Sequence, residues 1–309
     1  LDDLLDLNAQ IPWQDNGSED PNFGFLSSPV WLKIPIVNHN TRVDDWALEI
    51  AYPQLDNLEI YFVNQQNELL DNFTGGDHHP VTSQRISHPH LVFPAKLVPF
   101  EPVTLYIKAH TEGANQVPLS LWQWDEFNFH SLTHFLIQGL FYGMVLIMAL
   151  YNFVVWITER QRIYLNYVSY ILFFTIFQTS LSGIGSQFIW PNQTWLNELV
   201  TPISLSLLIA SLSYFVRDFF DTKMDFYKIN ITLVAGFYLC SSIAIASLFI
   251  SYRYSILISS TVASIFLLYV VFISVYMLKV GHPSSRYFAL AWGMFICGAI
   301  LLAANTYKY

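Results

Sequence analysis

Residues 132–157 read LTHFLIQGLFYGMVLIMALYNFVVWI, a run without Asp, Glu, Lys or Arg. About 20 apolar residues in helix cross a hydrocarbon core roughly 30 Å thick, so this stretch predicts a transmembrane helix. It also marks a change of solvent. Up to residue 131 the chain sets eighteen acids against Lys33, Arg42, Arg85, Lys96 and Lys108, a net charge of −13. Beyond it, nine bases face five acids, a net charge of +4. An acidic soluble head, residues 1–130, is therefore expected in front of a membrane bundle, residues 131–309.

C-terminal to the first stretch, five more qualify as spans, at 163–181, 199–216, 229–250, 254–278 and 287–307, the third being the shortest. The composition agrees, because 53% hydrophobic and 12% charged residues are too apolar a mix for an ordinary soluble protein. Orientation follows from the bases, which short cytoplasmic loops retain. With the head outside, the inner joints hold Arg160, Arg162, Arg217, Lys223, Lys228, Lys279 and Arg286, and the outer ones only Arg253 and Lys308. The uncharged loop 183–194 (GIGSQFIWPNQT) then lies outside. Trp122, Trp124, Trp156, Trp190 and Trp195 all fall near span ends, where indoles anchor helices at the membrane surface.

N-terminal to the first stretch the pattern is that of an all-β sandwich. Residues 30–38 (VWLKIPIVN), 46–52 (WALEIAY), 58–63 (LEIYFV), 104–109 (TLYIKA) and 119–124 (LSLWQW) read as strands, separated by Gly, Pro, Asn and Asp. Turn spacing near ten residues predicts about eight strands in two sheets. Residues 1–10 are ambiguous between a helix and part of a longer element. Cys240 and Cys297 both lie in apolar stretches, so the head has no disulfide framework and must be held by its apolar core. The chain opens at Leu1 with no cationic, apolar leader, and an export signal is expected to have been removed.

The run from Trp31 (WLKIPIVNHNTRVDDWALEIAYPQLDNLEIYFVNQQNELL), then TGGDHHPVTSQRISHPHLVFP at 74–94 and LYIKAHTEGANQVPLSLWQWDEF, resembles the sensory head of bacterial seven-transmembrane receptors with diverse intracellular signalling modules. GLFYGMVLIMALYN from Gly139, RIYLNYVSY from Arg162, the loop ending in IWP and RYFALAWGMFICG from Arg286 are similar to that family's helices one, two and six. The resemblance implies a periplasmic jelly-roll sandwich related to carbohydrate-binding modules. It also implies a seven-helix bundle in the bacterial inner membrane and a cytoplasmic output domain, usually a diguanylate cyclase or a histidine kinase. The partners it implies are a carbohydrate-like small molecule or a periplasmic partner, the lipid bilayer and a second copy of the chain, with no nucleic acid.

Within that frame, Gly76-Asp77, Pro80 and Arg85 match an element of the resembling heads, and ligand-binding candidates are Asp77, Arg85, His78 and Trp46. Arg offers a planar donor fork for carboxylate or sugar oxygens. The structural alternative is an Asp77–Arg85 ion pair that fixes the turn. Trp31, Trp46, Tyr52, Tyr61 and Phe62 supply rings for stacking on a sugar, although strand positions bury most such side chains. The segment with Asp77, His78, His79, His88 and His90 carries imidazole and carboxylate but no ordered zinc spacing, and it reads as a solvated loop with no metal. Gly139 and Gly143 on helix one, and Gly293 on helix six, are expected to let another helix approach closely, and Asn152 and Asn166 to hydrogen-bond across helices.

No nucleophile–base pair or nucleotide motif occurs, so this segment is expected to have no catalytic residues and no cofactor. A transporter would place charged groups in the span centres, which hold none. A membrane-bound carbohydrate enzyme would need a second carboxylate beside Glu198. The expected device is thus a receptor whose output, a diguanylate cyclase or alternatively a histidine kinase, lies beyond this segment. Six spans return residue 309 to the outer side, so a seventh helix is expected to follow. Alkaline phosphatase fused after Tyr309 should be active, and a fluorescent protein that folds only in the cytoplasm should stay dark. The reverse pattern would mean that one span, 199–216 first of all, is false.

Overall fold

The computed structural model of the chain describes residues 12–15, 17, 21–26, 28–41, 45–290 and 293. Residues 1–10 and most of the sixth expected span fall outside them. Two compact units are formed, Leu1–Phe141 with Gln178–Val200, and Tyr142–Phe177 with Thr201–Tyr309.

The first unit is an antiparallel β-sandwich. Among the described residues its strands are β1 (Val30–Val37), β2 (Asp45–Ile50), β3 (Asn57–Val63), β4 (Leu69–Gly75), β5 (Leu91–Lys96), β6 (Pro102–His110) and β7 (Leu119–Gln123). One sheet has the order β1-β6-β3-β4 and the other β5-β2-β7. Alternation decides which side chains meet. Leu58, Ile60 and Phe62 of β3 and Val103, Leu105, Ile107 and Ala109 of β6 point inward, where they pack with Leu48, Ile50, Leu91 and Phe93 of the other sheet.

All five stretches expected as strands are strands, and two more join them. β4 is an edge strand with Leu69, Leu70, Asp71 and Asn72 exposed, so it lacks the inward apolar rhythm that would announce it. β5 contains Pro94, which lacks an N–H and is tolerated because β5 lies at the edge of its sheet.

The turn after β4 depends on one glycine. Gly76 has φ 127°, and a Cβ there would lie 2.2 Å from the carbonyl oxygen of Asp56. The approach lets Asp77 and His78 donate their backbone N–H groups to Leu55 O at 2.7 Å and Asp56 O at 3.2 Å.

β7 runs directly into α1 (Trp124–Glu159), a helix of 36 residues. The apolar run suggested a start at 132, but the helix begins two turns earlier. Asp125 and Glu126 suit the positive end of the helix dipole, and Phe127 is buried on the sheet. At 1.5 Å per residue α1 is about 54 Å long, well beyond what crossing a bilayer requires.

The second unit is helical: the rest of α1, most of α2 (Arg162–Leu181) and α3 (Trp195–Phe219), then α4 (Thr222–Asp225), α5 (Tyr227–Ala246) and α6 (Tyr252–Val280). Residues 285–290 are helical as well. Among the described residues α1, α3, α5 and α6 are long and apolar enough to cross a membrane. The shortest expected span, α3, is the most buried of these four, at 67% of its apolar window. Leu205, Leu208, Ile209, Leu212 and Val216 pack there with Leu233, Phe266, Val270 and Ile273. Ser206 bonds Ser259 at 2.9 Å, and the Asn166 amide donates to Asp218 Oδ2 at 2.7 Å, the expected cross-helix bond.

Three packing expectations find no counterpart among the described residues. A Cβ on Gly139, Gly143 or Gly293 would meet nothing within 4 Å, so these glycines seat no neighbour among the described residues. The close approach is instead at Gly236, where a Cβ would fall 2.6 Å from the Phe266 ring. Asn152 donates to Met148 O, at 2.8 Å in its own helix, because the surrounding face of α1 is exposed. Gly76→Ala should destabilise the first unit by about 1–3 kcal/mol, since it combines a φ that side chains avoid with a backbone clash. Thermal unfolding of the full chain in detergent checks this; an unchanged midpoint would mean that the turn relaxes freely.

Candidate functional site

The segment joining α2 to α3 is folded onto the head within the first unit. Past Leu181 the chain turns at Gly183, with φ 73°, where a Cβ would lie 2.4 Å from Pro89 O and 2.9 Å from Pro53 Cβ. A π-helical turn at Gly185–Ile189 follows, and Trp190 lays its ring over Gly185 while donating its indole N–H to Asn197 Oδ1 at 2.8 Å. Asn197 in turn donates its amide to Asp77 O at 2.8 Å. Val81 N–H bonds Pro191 O at 3.3 Å, Thr82 Oγ1 reaches Asn192 Oδ1 at 3.2 Å, and His78 Nε2 lies 2.8 Å from Glu198 Oε1.

This clasp encloses a cavity of about 20 Å³, room for about one water, with Asp77, Gln84, Trp190 and Asn197 in its wall. Asp77 Oδ1 and Gln84 Oε1 are buried there without a hydrogen-bond partner among the described residues. Burial first, then the charges of Asp56 and Glu198, push the Asp77 carboxyl well above the usual carboxylate range. The expected Asp77–Arg85 pair does not form. Arg85 lies 3.5 Å from Asp71 Oδ2, with its guanidinium 4.4 Å over the Phe73 ring, because β4 rather than the turn passes beside it.

A second constellation lies on the outer face of the β5-β2-β7 sheet, which the first turns of α1 cover. Ala47, Val92 and Phe127 form a small apolar cluster there with Ile86, Trp122 and Trp124. Among them is Glu49, only 2% exposed. His90 Nδ1–H donates to Glu49 Oε1 at 2.6 Å, and the Trp122 indole N–H donates to Oε2 at 2.8 Å. Burial alone would raise the Glu49 pKa, but these bonds and the charge of His90 outweigh it and hold the carboxyl below its usual value.

His88, far from being solvated, is 5% exposed. Its Nδ1 accepts the His90 backbone N–H at 3.0 Å, which leaves Nε2–H to donate to Ser131 Oγ at 3.1 Å. Burial, followed by the charge of His90, drives its pKa down to about 4, so the ring is neutral at physiological pH. His130 and His134 of α1, not singled out in the sequence, complete the group. His130 stacks on Trp122 with ring centres 4.8 Å apart, and His134 stands 5.1 Å from His90. Their signal is legible: Phe127, His130, Ser131, His134 and Phe135 recur at the spacing of one helix face.

Trp122 and Trp190 thus each take part in one of these two constellations. Trp46 packs against the sandwich core with Nε1 buried, and Phe62 is core, so neither is a platform for a ligand. Trp31 and Tyr61 do face outward. They stack at 6.3 Å on the outer face of the four-stranded sheet, with Lys108 Nζ 5.8 Å over the Trp31 ring and bonded to Glu59 at 2.8 Å. Beside them a hollow of about 300 Å³ is lined by Pro29, Asn57, Glu59, Lys108 and His110.

A β-sandwich head followed by an apolar helical bundle has a counterpart among known families. Residues 134–309 match the family described as 7TM diverse intracellular signalling. The chain belongs to that family. Residues 1–123 match the domain described as 7TMR-DISM extracellular 2, so this member is a transmembrane signalling receptor with an extracellular sensor domain. No curated protein matches it.

The clasp of this receptor should respond to pH through Asp77. A carboxyl whose pKa is raised on folding holds its proton more tightly in the folded state, so stability grows as pH falls through that raised value. Asp77→Asn should raise the thermal midpoint at about pH 8, and the advantage should shrink as pH falls toward about 5. A constant difference between the two proteins across this range would mean that Asp77 does not titrate there.

Proposed function

We propose that the chain is the sensing and transmembrane part of a homodimeric receptor of the bacterial inner membrane. Its periplasmic head takes a carbohydrate-like ligand, and its bundle sets the activity of a cytoplasmic diguanylate cyclase. The observation that carries this reading is the clasp: the loop between α2 and α3 is held by the Asp77 turn, so a change in the head bears directly on the loop that leads into the membrane-capable α3. The ligand class is supported by the stacked Trp31 and Tyr61, whose rings suit the apolar face of a sugar, and by the Glu59–Lys108 pair beside them, which suits its hydroxyls. Coupling between such sites is typically about 1–3 kcal/mol, or roughly 5- to 150-fold in an equilibrium.

Gly183→Val in the full-length receptor should open the clasp by colliding with Pro89 and Pro53. Cellular cyclic di-GMP should then shift at least about fivefold from the wild-type level and cease to respond to added periplasmic sugars. A correctly inserted variant with wild-type output and wild-type response would overturn the reading.

A further inference from the structure

We propose that Asp56, Asp77, His78 and Glu198 form a binding site for one divalent transition ion, manganese or zinc, which ties the first turn of α3 to the head. The site stands apart from the receptor reading, because ion binding is measured without reference to any sugar or to the output, and either can fail while the other holds.

The donors converge. Ligand atoms of Asp56, Asp77 and His78 lie within 4.8 Å of one another. His78 Nε2 stands 2.8 Å from Glu198 Oε1 and 4.0 Å from Asp77 Oδ1. Two donors on one ion, with bonds of about 2.0–2.2 Å, are roughly 3 Å apart in adjacent positions and roughly 4 Å apart in opposite ones. Asp56 is only 3% exposed and is held from behind: Thr111 Oγ1–H donates to its Oδ1 at 3.0 Å and the Glu112 backbone N–H to its Oδ2 at 2.6 Å. Each of these oxygens keeps a further lone pair, and such outer bonds are the usual support of a ligating carboxylate.

What points to a cation is the missing countercharge. Three carboxyl groups gather here, and among the described residues no Lys or Arg pairs with any of them. Asp77 Oδ1 is buried with no hydrogen-bond partner among the described residues, and so is Gln84 Oε1 in the same cavity wall, which leaves two acceptors with no donor. An ion relieves that condition at Asp77, which is costly otherwise. Without the ion, His78 Nε2–H donates to Glu198; binding releases that proton to solvent and turns the freed lone pair to the metal. The His78 and Glu198 side chains are partly exposed, so the ion has a route from solvent. Carboxylates with one imidazole suit manganese and zinc better than magnesium or calcium, which favour oxygen donors alone.

The test uses tag-free full-length chain in detergent, stripped with chelator and titrated calorimetrically with manganese or zinc chloride, with loss of the free-manganese paramagnetic resonance signal as a second readout. One equivalent should bind saturably. Asp77→Asn and Glu198→Gln, which keep the shape of the side chain, should each weaken binding at least about tenfold. Glu101→Gln, at an exposed acid outside the cluster, should leave it unchanged. Saturating ion should raise the thermal midpoint of the wild type and not that of Asp77→Asn. The pH response expected of Asp77 is that of the ion-free chain. Absence of saturable binding by wild type at micromolar concentrations of either ion, binding of calcium or magnesium alone, or wild-type affinity in the Asp77 or the Glu198 variant would overturn the assignment.

Discussion

A carboxylate shut away from water must keep its charge satisfied or lose it, and at Glu49 that requirement organises the face of the head that α1 covers. Glu49 sits in the central strand of its sheet, on the face opposite the sandwich core, where a charged side chain would ordinarily meet solvent. The first turns of α1 cover that face instead. His90 and Trp122 answer the carboxylate, which fixes the loop before β5 and the end of β7, and Phe127 closes the apolar ring around it. Without those two donors the helix could not lie here except over an unpaired charge.

The sandwich was legible because strands that bury one face must alternate, as β1 and β3 do, and because β2, β6 and β7 are rich in β-branched, aromatic and other apolar residues. β4 escaped because an edge strand with a solvated face keeps no such rhythm, and β5 because a proline argues against a strand until its place at the edge is known. The start of α1 was hidden by its own composition. Hydropathy registers only what lipid requires, and residues 124–131 are helical for a different reason, the sheet beneath them.

Sites were harder to read than elements, since they depend on which turn meets which strand. The order Asp77, Pro80, Arg85 suggested a pair, yet Asp77 faces the α2–α3 loop while Arg85 turns to Asp71 and Phe73. His88 and His90 looked solvated because flanking prolines and polar residues mark a loop, and a sequence does not say that a helix forty residues later will cover it. Small residues misled in the same way. Gly-x-x-x-Gly describes a surface able to accept a neighbour, whereas the contact made in the bundle involves Gly236, a lone glycine with no motif around it.

Gly139 and Gly143, which seat no neighbour among the described residues, flank the point between Phe141 and Tyr142 where α1 passes from one compact unit to the other. The helix contains no proline, so it behaves as a continuous rod on either side. Each glycine costs about 1 kcal/mol of helix propensity relative to alanine. Helix propensity along α1 is therefore lowest around this joint, so the backbone hydrogen bonds of the helix open at less cost there than elsewhere along it.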